Sequence, residues 1–468
     1  MTILDIVAVL LVLSAIFGYL NHKVLRLPHT VGLVVMALLA SGVIVITDAV
    51  APGLGIGETT RKVLKTIDFK TTLLEGFLCA LLFAGAVHVD FSEMAQRKWA
   101  IGLMATIGVC ISTAVVGTAM WLVSGWLGFS LPFIWALVFG ALISPTDPVA
   151  VLGILKRVRV PPLLEAKIAG ESLANDGVGV VVFTVLVAIA TGSAAHGGEV
   201  GALAIAKLFA LEAFGGVALG LVTGFIAYWL MKTLDEHNIE VMITLALVTG
   251  AYALALKLHV SGPIAVVVAG ILIGNHGARF AMSANTRRHV FQFWELIDEI
   301  LNSVLFLLIG LEILVLGLNP QYKGLALAAI PIVLAARLLS VAVPIGLLSI
   351  RERFTDGAIR ILTWSGLRGG ISVALALSLP ESEYKGAILT ATYAVVVFSI
   401  LVQGLTVEGL VRRTIKEDKV AAAAERKAGL GDGSMHEDEV KSYDRPPPSP
   451  AQPAGSGKRA KRRRKNRR

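Results

Sequence analysis

The stretch that decides the fold is residues 132–154, PFIWALVFGALISPTDPVAVLGI. It is about as long as a helix must be to cross the hydrocarbon core of a bilayer, and Asp147 is its only charged residue. Pro145 and Pro148 lie near its middle. Because a proline lacks an N–H and clashes with the preceding helical turn, two prolines three residues apart should open the helix. The segment therefore predicts a membrane span that is interrupted at mid-membrane depth.

Opening this helix frees backbone carbonyl groups from their helical hydrogen bonds. Such groups are tolerated at membrane depth only where protein, water or a bound ion satisfies them. We therefore expect a cation or a water-filled cavity beside Ser144–Pro148. The acid Asp147, placed between the two prolines, favours a functional role over a simple proline kink.

The rest of the chain has the composition of a polytopic membrane protein. Of its 468 residues, 55% are hydrophobic and 16% are charged, whereas soluble domains have about 25% charged residues. About thirteen apolar segments of spanning length can be placed within residues 1–410, the transmembrane domain. We predict an all-α polytopic membrane protein with about thirteen transmembrane helices. They divide into two inverted six-helix repeats, a common transporter architecture, with interrupted helices 5 and 12.

The net charge of +9 comes from the C-terminal tail. Residues 411–468 hold 17 Lys or Arg and 8 Asp or Glu, so residues 1–410 hold 25 of each. Such a basic tail is typical of a disordered cytoplasmic segment that meets anionic lipid, and it does not indicate nucleic-acid binding. With thirteen spans and this tail inside, the N-terminus lies outside. The cytoplasmic loops then hold 15 Lys or Arg and the opposite loops 7, as the positive-inside rule requires.

A second polar segment, Gly170–Gly177 or GESLANDG, lies within the next predicted span. Asp176 is at the centre of that span, where an ionised carboxylate costs at least about 2.5–3.5 kcal/mol, so it must be paired, protonated or in contact with water. Ser172 is four residues away and shares its helix face. A carboxylate that holds either a proton or a cation, but not both, is the minimal device for exchanging them. Around the helix axis, Glu171 and Asp176 point about 140° apart, so they need not share one role. Glu171 is expected to be a structural ion-pair partner.

Buried acids require buried bases, and two arginines lie in the middle of predicted spans. Arg337 lies between Pro331 and Pro344, and Arg368 lies within Ser365–Gly370, SGLRGG. The three glycines around Arg368 weaken its helix and allow other backbones to approach. This segment lies in the twelfth predicted span, residues 358–379, which is the repeat-mate of the fifth, residues 132–154, so both mates are expected to be interrupted.

In their order along the chain, these motifs resemble those of the NhaP-type sodium/proton antiporters. These belong to the first monovalent cation:proton antiporter family and are related to the animal sodium/proton exchangers. The motifs are Thr146-Asp147-Pro148, Glu171-Ser172, Asn175-Asp176-Gly177, Phe306–Gly310, Arg337 and Gly366–Gly370. The resemblance implies a homodimer in which each thirteen-helix protomer has a dimerisation domain and a moving core. It also implies that the unwound parts of helices 5 and 12 cross, and that the core moves by an elevator-like motion.

The resemblance also implies roles for the residues of the ion site. Asp176 would be the carboxylate shared by cation and proton. Thr146, through its backbone, and Ser172 would help to coordinate the ion, with Asp147 nearby. Asn175 beside Asp176, in place of a second aspartate, resembles the electroneutral branch that exchanges one cation for one proton.

Outside the ion-binding group, the resemblance implies that Glu171 pairs with Arg337 as a structural clamp. Arg368 is expected to support the core. Glu171 is also kept among the candidate ion- and proton-binding residues.

We therefore expect a multi-pass cell-membrane transporter rather than an enzyme. The expected activity is electroneutral exchange of Na⁺, and also Li⁺, for protons in pH homeostasis, with the ions as substrates and no cofactor. An all-oxygen ligand set leaves K⁺/H⁺ antiport as an alternative. A cation channel or uniporter would need a continuous pore, and a solute symporter is possible on the same architecture. An intramembrane enzyme is disfavoured because no Ser/His pair or His-rich metal motif lies at membrane depth.

Overall fold

The computed structural model describes residues 3–51, 76–92, 98–147, 151, 162–192, 202–316, 320–349 and 357–414. All of them belong to one unit, Met1–Val420. Within these ranges the regular structure is helical and no residue is in a strand, which confirms the all-α prediction. Pro148 and the basic tail beyond Thr414 lie outside the described residues, so what was predicted for them stays a prediction.

The helices are numbered in chain order. In the first half they are α1 (Ile3–Leu20), α2 (His29–Val50), α3 (Leu78–Val87), α4 (Lys98–Leu103), α5 (Val109–Trp126), α6 (Phe133–Ile143), α7 (Pro162–Ala190) and α8 (Ala202–Lys232). In the second half they are α9 (His237–Leu258), α10 (Gly262–Leu272), α11 (Ala278–Phe280), α12 (Ala284–Leu316), α13 (Lys323–Leu348), α14 (Ala358–Trp364), α15 (Gly370–Leu377) and α16 (Lys385–Phe398). A π-helical turn, Ser399–Gln403, follows α16, and residues 404–414 continue that helix.

Among the described residues, nine helical segments are long and apolar enough to cross a membrane. The apolar helices α3 and α6 are shorter. Large apolar side chains on the outside of the bundle are freely accessible, among them Trp126 at 83%, Phe214 at 73% and Val24 at 70% exposure. Because a soluble surface rarely carries so many, these faces are suited to lipid. The multi-pass architecture is thereby established, whereas thirteen spans and the inverted repeats stay predictions.

Helix α12 connects two apolar clusters in the interior of the bundle. Its N-terminal part places Val290 and Trp294 in a cluster with α3, α8, α9 and α10. The Trp294 ring lies 4.7 Å from that of Phe83, and its indole N–H donates to the Thr244 hydroxyl at 3.0 Å. The C-terminal part, from Val304 to Leu311, packs with α1, α2, α6 and α13 instead. One helix therefore holds both halves of the bundle together.

Helices α8 and α10 pack at very close range. Gly216, Gly220 and Gly224 are spaced four residues apart on α8 and form one ridge toward α10. A Cβ added to Gly220 would press against the Ala265 carbonyl oxygen. Only glycine permits this approach, which is the usual way in which membrane helices gain packing contacts without a hydrophobic driving force.

Candidate functional site

Two interrupted helices meet in the interior. Helix α6 ends at Ile143, and residues 144–147 are not helical. On the other side, α14 ends at Trp364 and α15 begins at Gly370, with an irregular segment between them. The Asp147 N–H donates to the Leu367 carbonyl at 2.8 Å, so the two breaks are joined directly by their backbones. The prolines explain the first break, because a continuous helix would leave its hydrogen-bond ladder incomplete there.

The carbonyls freed at the first break are satisfied by an arginine of the second. Arg368 is only 2% exposed, and its Nη1 donates to the carbonyls of Ser144 and Pro145, the latter at 2.8 Å. The sequence predicted a cation or a water-filled cavity as the partner of these groups. The structure shows the Arg368 guanidinium as one partner of these groups, and the expectation of a cation or water beside them stays a prediction. The signal available in the sequence was an arginine, Arg368, in the middle of a glycine-rich apolar segment.

Helix α7 supplies the polar groups that hold Thr146. The carboxamide of Asn175 donates to the Thr146 hydroxyl at 2.9 Å and accepts from its backbone N–H at 3.3 Å. The Ser172 hydroxyl donates to the Thr146 carbonyl. Ser172 and Asn175 are three residues apart, so both side chains lie on the helix face that meets the break. The structure thus brings together three of the residues singled out in the sequence.

Asp176 follows on the same helix and is 4% exposed. Among the described residues, its Oδ1 has no hydrogen-bond partner. The charged side chains that act on it are Asp147 and Arg368, so the second break supplies a positive charge and the first a negative one. A buried polar atom without a partner is costly, and a carboxylate oxygen more so. The geometry is therefore suited to a proton or a small cation at Asp176.

The crossing leaves space for Asp147 because Gly369 has no side chain. A Cβ added to Gly369 would overlap the Asp147 carboxylate. Asp147 is partly buried, whereas Thr146 is 5% exposed. Carboxylate, hydroxyl and carbonyl oxygens therefore converge at the crossing, and they are the ligand types that hard cations prefer.

Glu171 and Arg337 form a separate ion pair on the other side of α7. Arg337 Nη1 lies 2.5 Å from Glu171 Oε1, and the two side chains are 8% and 3% exposed. The Nε and Nη2 atoms of Arg337 donate to the Leu362 carbonyl at 3.2 and 3.0 Å. Arg337 thus ties α13 to α7 and to α14. The charge of Glu171 is thus engaged in joining helices, whereas Asp176 on the same helix keeps an oxygen without a hydrogen-bond partner among the described residues.

Comparison with known proteins shows the family by two routes and the same fold by a third. The family model described as "Sodium/hydrogen exchanger, transmembrane" matches residues 11–413. The Na(+)/H(+) antiporter NhaP of Pseudomonas aeruginosa is 48% identical over 415 residues, which are 88% of this chain and 96% of that protein. The Na(+)/H(+) antiporter NhaH of Halobacillus dabanensis is 35% identical over 401 residues, with 84% and 93% coverage. The structure is also similar to that of the sodium proton antiporter MjNhaP1 from Methanocaldococcus jannaschii at pH 8. The TM-score is 0.68 at 19% identity, with 87% of this chain and 97% of that chain covered.

Proposed function

The chain belongs to the sodium/hydrogen exchanger family, and from that premise we propose that it exchanges Na⁺ for protons across the cell membrane. The observation that carries this proposal is the buried Oδ1 of Asp176, which has no partner among the described residues and lies beside the crossing of two broken helices. The family supplies the reaction class, and this atom supplies a place for the exchanged ion or proton.

Asp176 acts in the proposed cycle as a site for either ion. When a proton occupies the carboxylate, Na⁺ cannot bind, and when Na⁺ occupies it, the proton has left. Each form carries one positive charge on one negative group, so the loaded carrier has the same charge in both directions. Asn175 is neutral, so this face of α7 carries no second acid that would bind another proton in each cycle. The exchange is therefore one for one and electroneutral.

The proposed cation ligands are oxygen atoms at the crossing. They come from Asp176, Thr146 and Ser172, with Asp147 nearby. Asn175 holds Thr146 through the two hydrogen bonds described above. Arg368 keeps the opened backbone in place, and the pair of Glu171 with Arg337 acts as scaffold. Such a site would accept Na⁺ and Li⁺, with K⁺ as the alternative, because these ions share a preference for oxygen ligands.

The larger architecture belongs to the same proposal. Thirteen helices in two inverted repeats would place the breaks after α6 and after α14 on repeat-mates. The protein would work as a homodimer by alternating access, with the N-terminus outside. Residues 1–410 would form the transmembrane domain and residues 411–468 a cytoplasmic tail. Support comes from the direct hydrogen bond between the two breaks, which repeat-mates crossing at the midplane would form.

The test uses everted membrane vesicles with an imposed pH gradient and additions of NaCl, LiCl or KCl. We expect salt-induced proton release in the wild type and none with Asp176→Asn, which keeps the side-chain size and removes the ionisable group. Glu236→Gln changes an exposed carboxylate and serves as the matched control. Normal transport by folded Asp176→Asn protein would overturn the assignment, and the three salts separate Na⁺ from K⁺ exchange.

The same vesicles test the shared site through pH. Falling pH fills Asp176 with protons, so the apparent KM for Na⁺ should rise while the maximal rate stays the same. An apparent KM that falls on acidification contradicts competition at one carboxylate.

A further inference from the structure

The last helix contains a π-helical turn, Ser399–Gln403, opposite the second break. Ser399 is fully buried and Gln403 is 3% exposed. A π-helical turn inserts a residue into the helix and is frequent at functional sites because it redirects side chains. Here it points two polar side chains at the irregular segment that carries Arg368.

These two side chains form a continuous chain of hydrogen bonds. The Arg368 backbone N–H donates to Ser399 Oγ at 2.9 Å. The Ser399 hydroxyl donates to Gln403 Oε1 at 2.7 Å, and Gln403 Nε2 donates to the Trp364 carbonyl at 3.2 Å. Each group uses its donor in one direction and its acceptor in the other, so the chain is matched along its length. It spans the break from the end of α14 to Arg368.

The chain fixes the residue that holds the first break. Arg368 is bonded through its backbone to Ser399 and through its guanidinium to the carbonyls of Ser144 and Pro145. Its neighbour Leu367 accepts the N–H of Asp147. A shift of Arg368 would therefore move the backbone next to the proposed cation ligands.

We propose that Ser399 and Gln403 are positioning residues of the ion site, which set the apparent affinity for the cation by holding Arg368 against the opened backbone. This inference rests on the proposed function and adds to it two residues that touch no transported ion. They act through the Arg368 backbone, so they position the groups of the site without binding the ion themselves.

A neighbouring bond provides a matched control. The Trp364 indole N–H donates to the Thr406 hydroxyl at 2.9 Å, which also joins α14 to the last helix. Thr406 is exposed, and its hydroxyl donates to the carbonyls of Val402 and Gln403 on its own helix. Thr406→Val thus removes a bond between the same two helices and leaves in place the side-chain bonds of Ser399 and Gln403 that hold Arg368.

The experiment measures the apparent KM for Na⁺ and the maximal rate per folded protein in proteoliposomes. Ser399→Ala and Gln403→Met should each raise the apparent KM about twofold to tenfold, the effect of one net hydrogen bond on an equilibrium. Ser399→Thr keeps the hydroxyl and should restore the wild-type KM, and Thr406→Val should match the wild type. The double variant Ser399→Ala/Gln403→Met should be no worse than Ser399→Ala alone, because both changes break one chain.

The inference is overturned if the apparent KM is unchanged in folded Ser399→Ala and Gln403→Met, or if their effects simply add. It is also overturned if both variants only lose folded protein while the remainder transports with the wild-type KM. If Ser399→Ala does not fold, Gln403→Met decides by the same criterion. Failure of the proposed function is distinguishable, because then the wild type itself shows no Na⁺-induced proton release.

Discussion

At the scale of single residues, the site separates two buried acids that lie five positions apart on α7. Glu171 is bonded to Arg337, and Asp176 keeps an oxygen without a partner among the described residues. An acid paired with a buried base has little freedom to exchange ions, because releasing it would leave the base uncompensated. The contrast in partners therefore assigns the scaffold role to Glu171 and the proposed exchange role to Asp176.

Removing either member of the buried pair should destabilise the protein. Glu171→Ala and Arg337→Ala each leave one buried charge without its partner, which costs about 3–5 kcal/mol. Thermal unfolding followed by size-exclusion chromatography measures the loss of folded protein in each variant.

The control for that prediction is an ion pair of the same chemistry at the surface. Arg412 lies 2.8 Å from Glu408, and the two side chains are 55% and 38% exposed. Arg412→Ala should cost at most about 1 kcal/mol, because solvent screens an exposed pair. If the buried variants are as stable as Arg412→Ala, the clamp role is wrong.

At the scale of helices, two features have different roles: interruptions of the backbone form the proposed site, and close packing holds continuous helices together. The breaks after α6 and α14 expose backbone groups to one another, as the bond from Asp147 to Leu367 shows. The continuous helix α8 instead packs closely on α10 along a ridge of glycines. Opened backbone is thus found where the proposed site lies, whereas close packing joins continuous helices.

The α8–α10 contact predicts an unusual response to alanine. Gly220→Ala should destabilise the protein by about 1–3 kcal/mol, because the added Cβ meets the Ala265 carbonyl and overpacks the contact. Gly250→Ala is the matched control, since nothing lies within 4 Å of its added Cβ. It should be neutral or stabilise α9 by up to about 1 kcal/mol through helix propensity. Thermal unfolding of the two variants in detergent compares them directly, and equal stability would contradict close packing at Gly220.

At the scale of the whole molecule, the charge carried through the proposed cycle decides how the membrane potential acts. In that cycle one Na⁺ would move in one direction and one proton in the other, so no net charge would cross the bilayer. A cycle that moved one net charge would be driven by about 2.3 kcal/mol per 100 mV. The ratio of the two ions is therefore measurable without a structure of any intermediate.

Electroneutral exchange should be insensitive to membrane potential. In proteoliposomes with a constant Na⁺ gradient and pH, a potential imposed by a permeant-anion gradient should leave the rate of proton movement unchanged. Asp176→Asn liposomes measure the passive leak under the same potential. A rate that follows the sign of the potential excludes one-for-one exchange and favours a channel or a different stoichiometry.

The amino-acid sequence by itself determined the all-α membrane class, the interruption at Ser144–Asp147 and the position of the buried acids on one helix. These properties are local: span length, proline chemistry and helical spacing are read from neighbouring residues. Only the tertiary structure decided which partners meet. Arg368 donates to the carbonyls of Ser144 and Pro145, and Ser399 with Gln403 holds Arg368. These partners depend on how distant helices pack and on the direction of each opened backbone, and neither is encoded in the periodicity of a single segment.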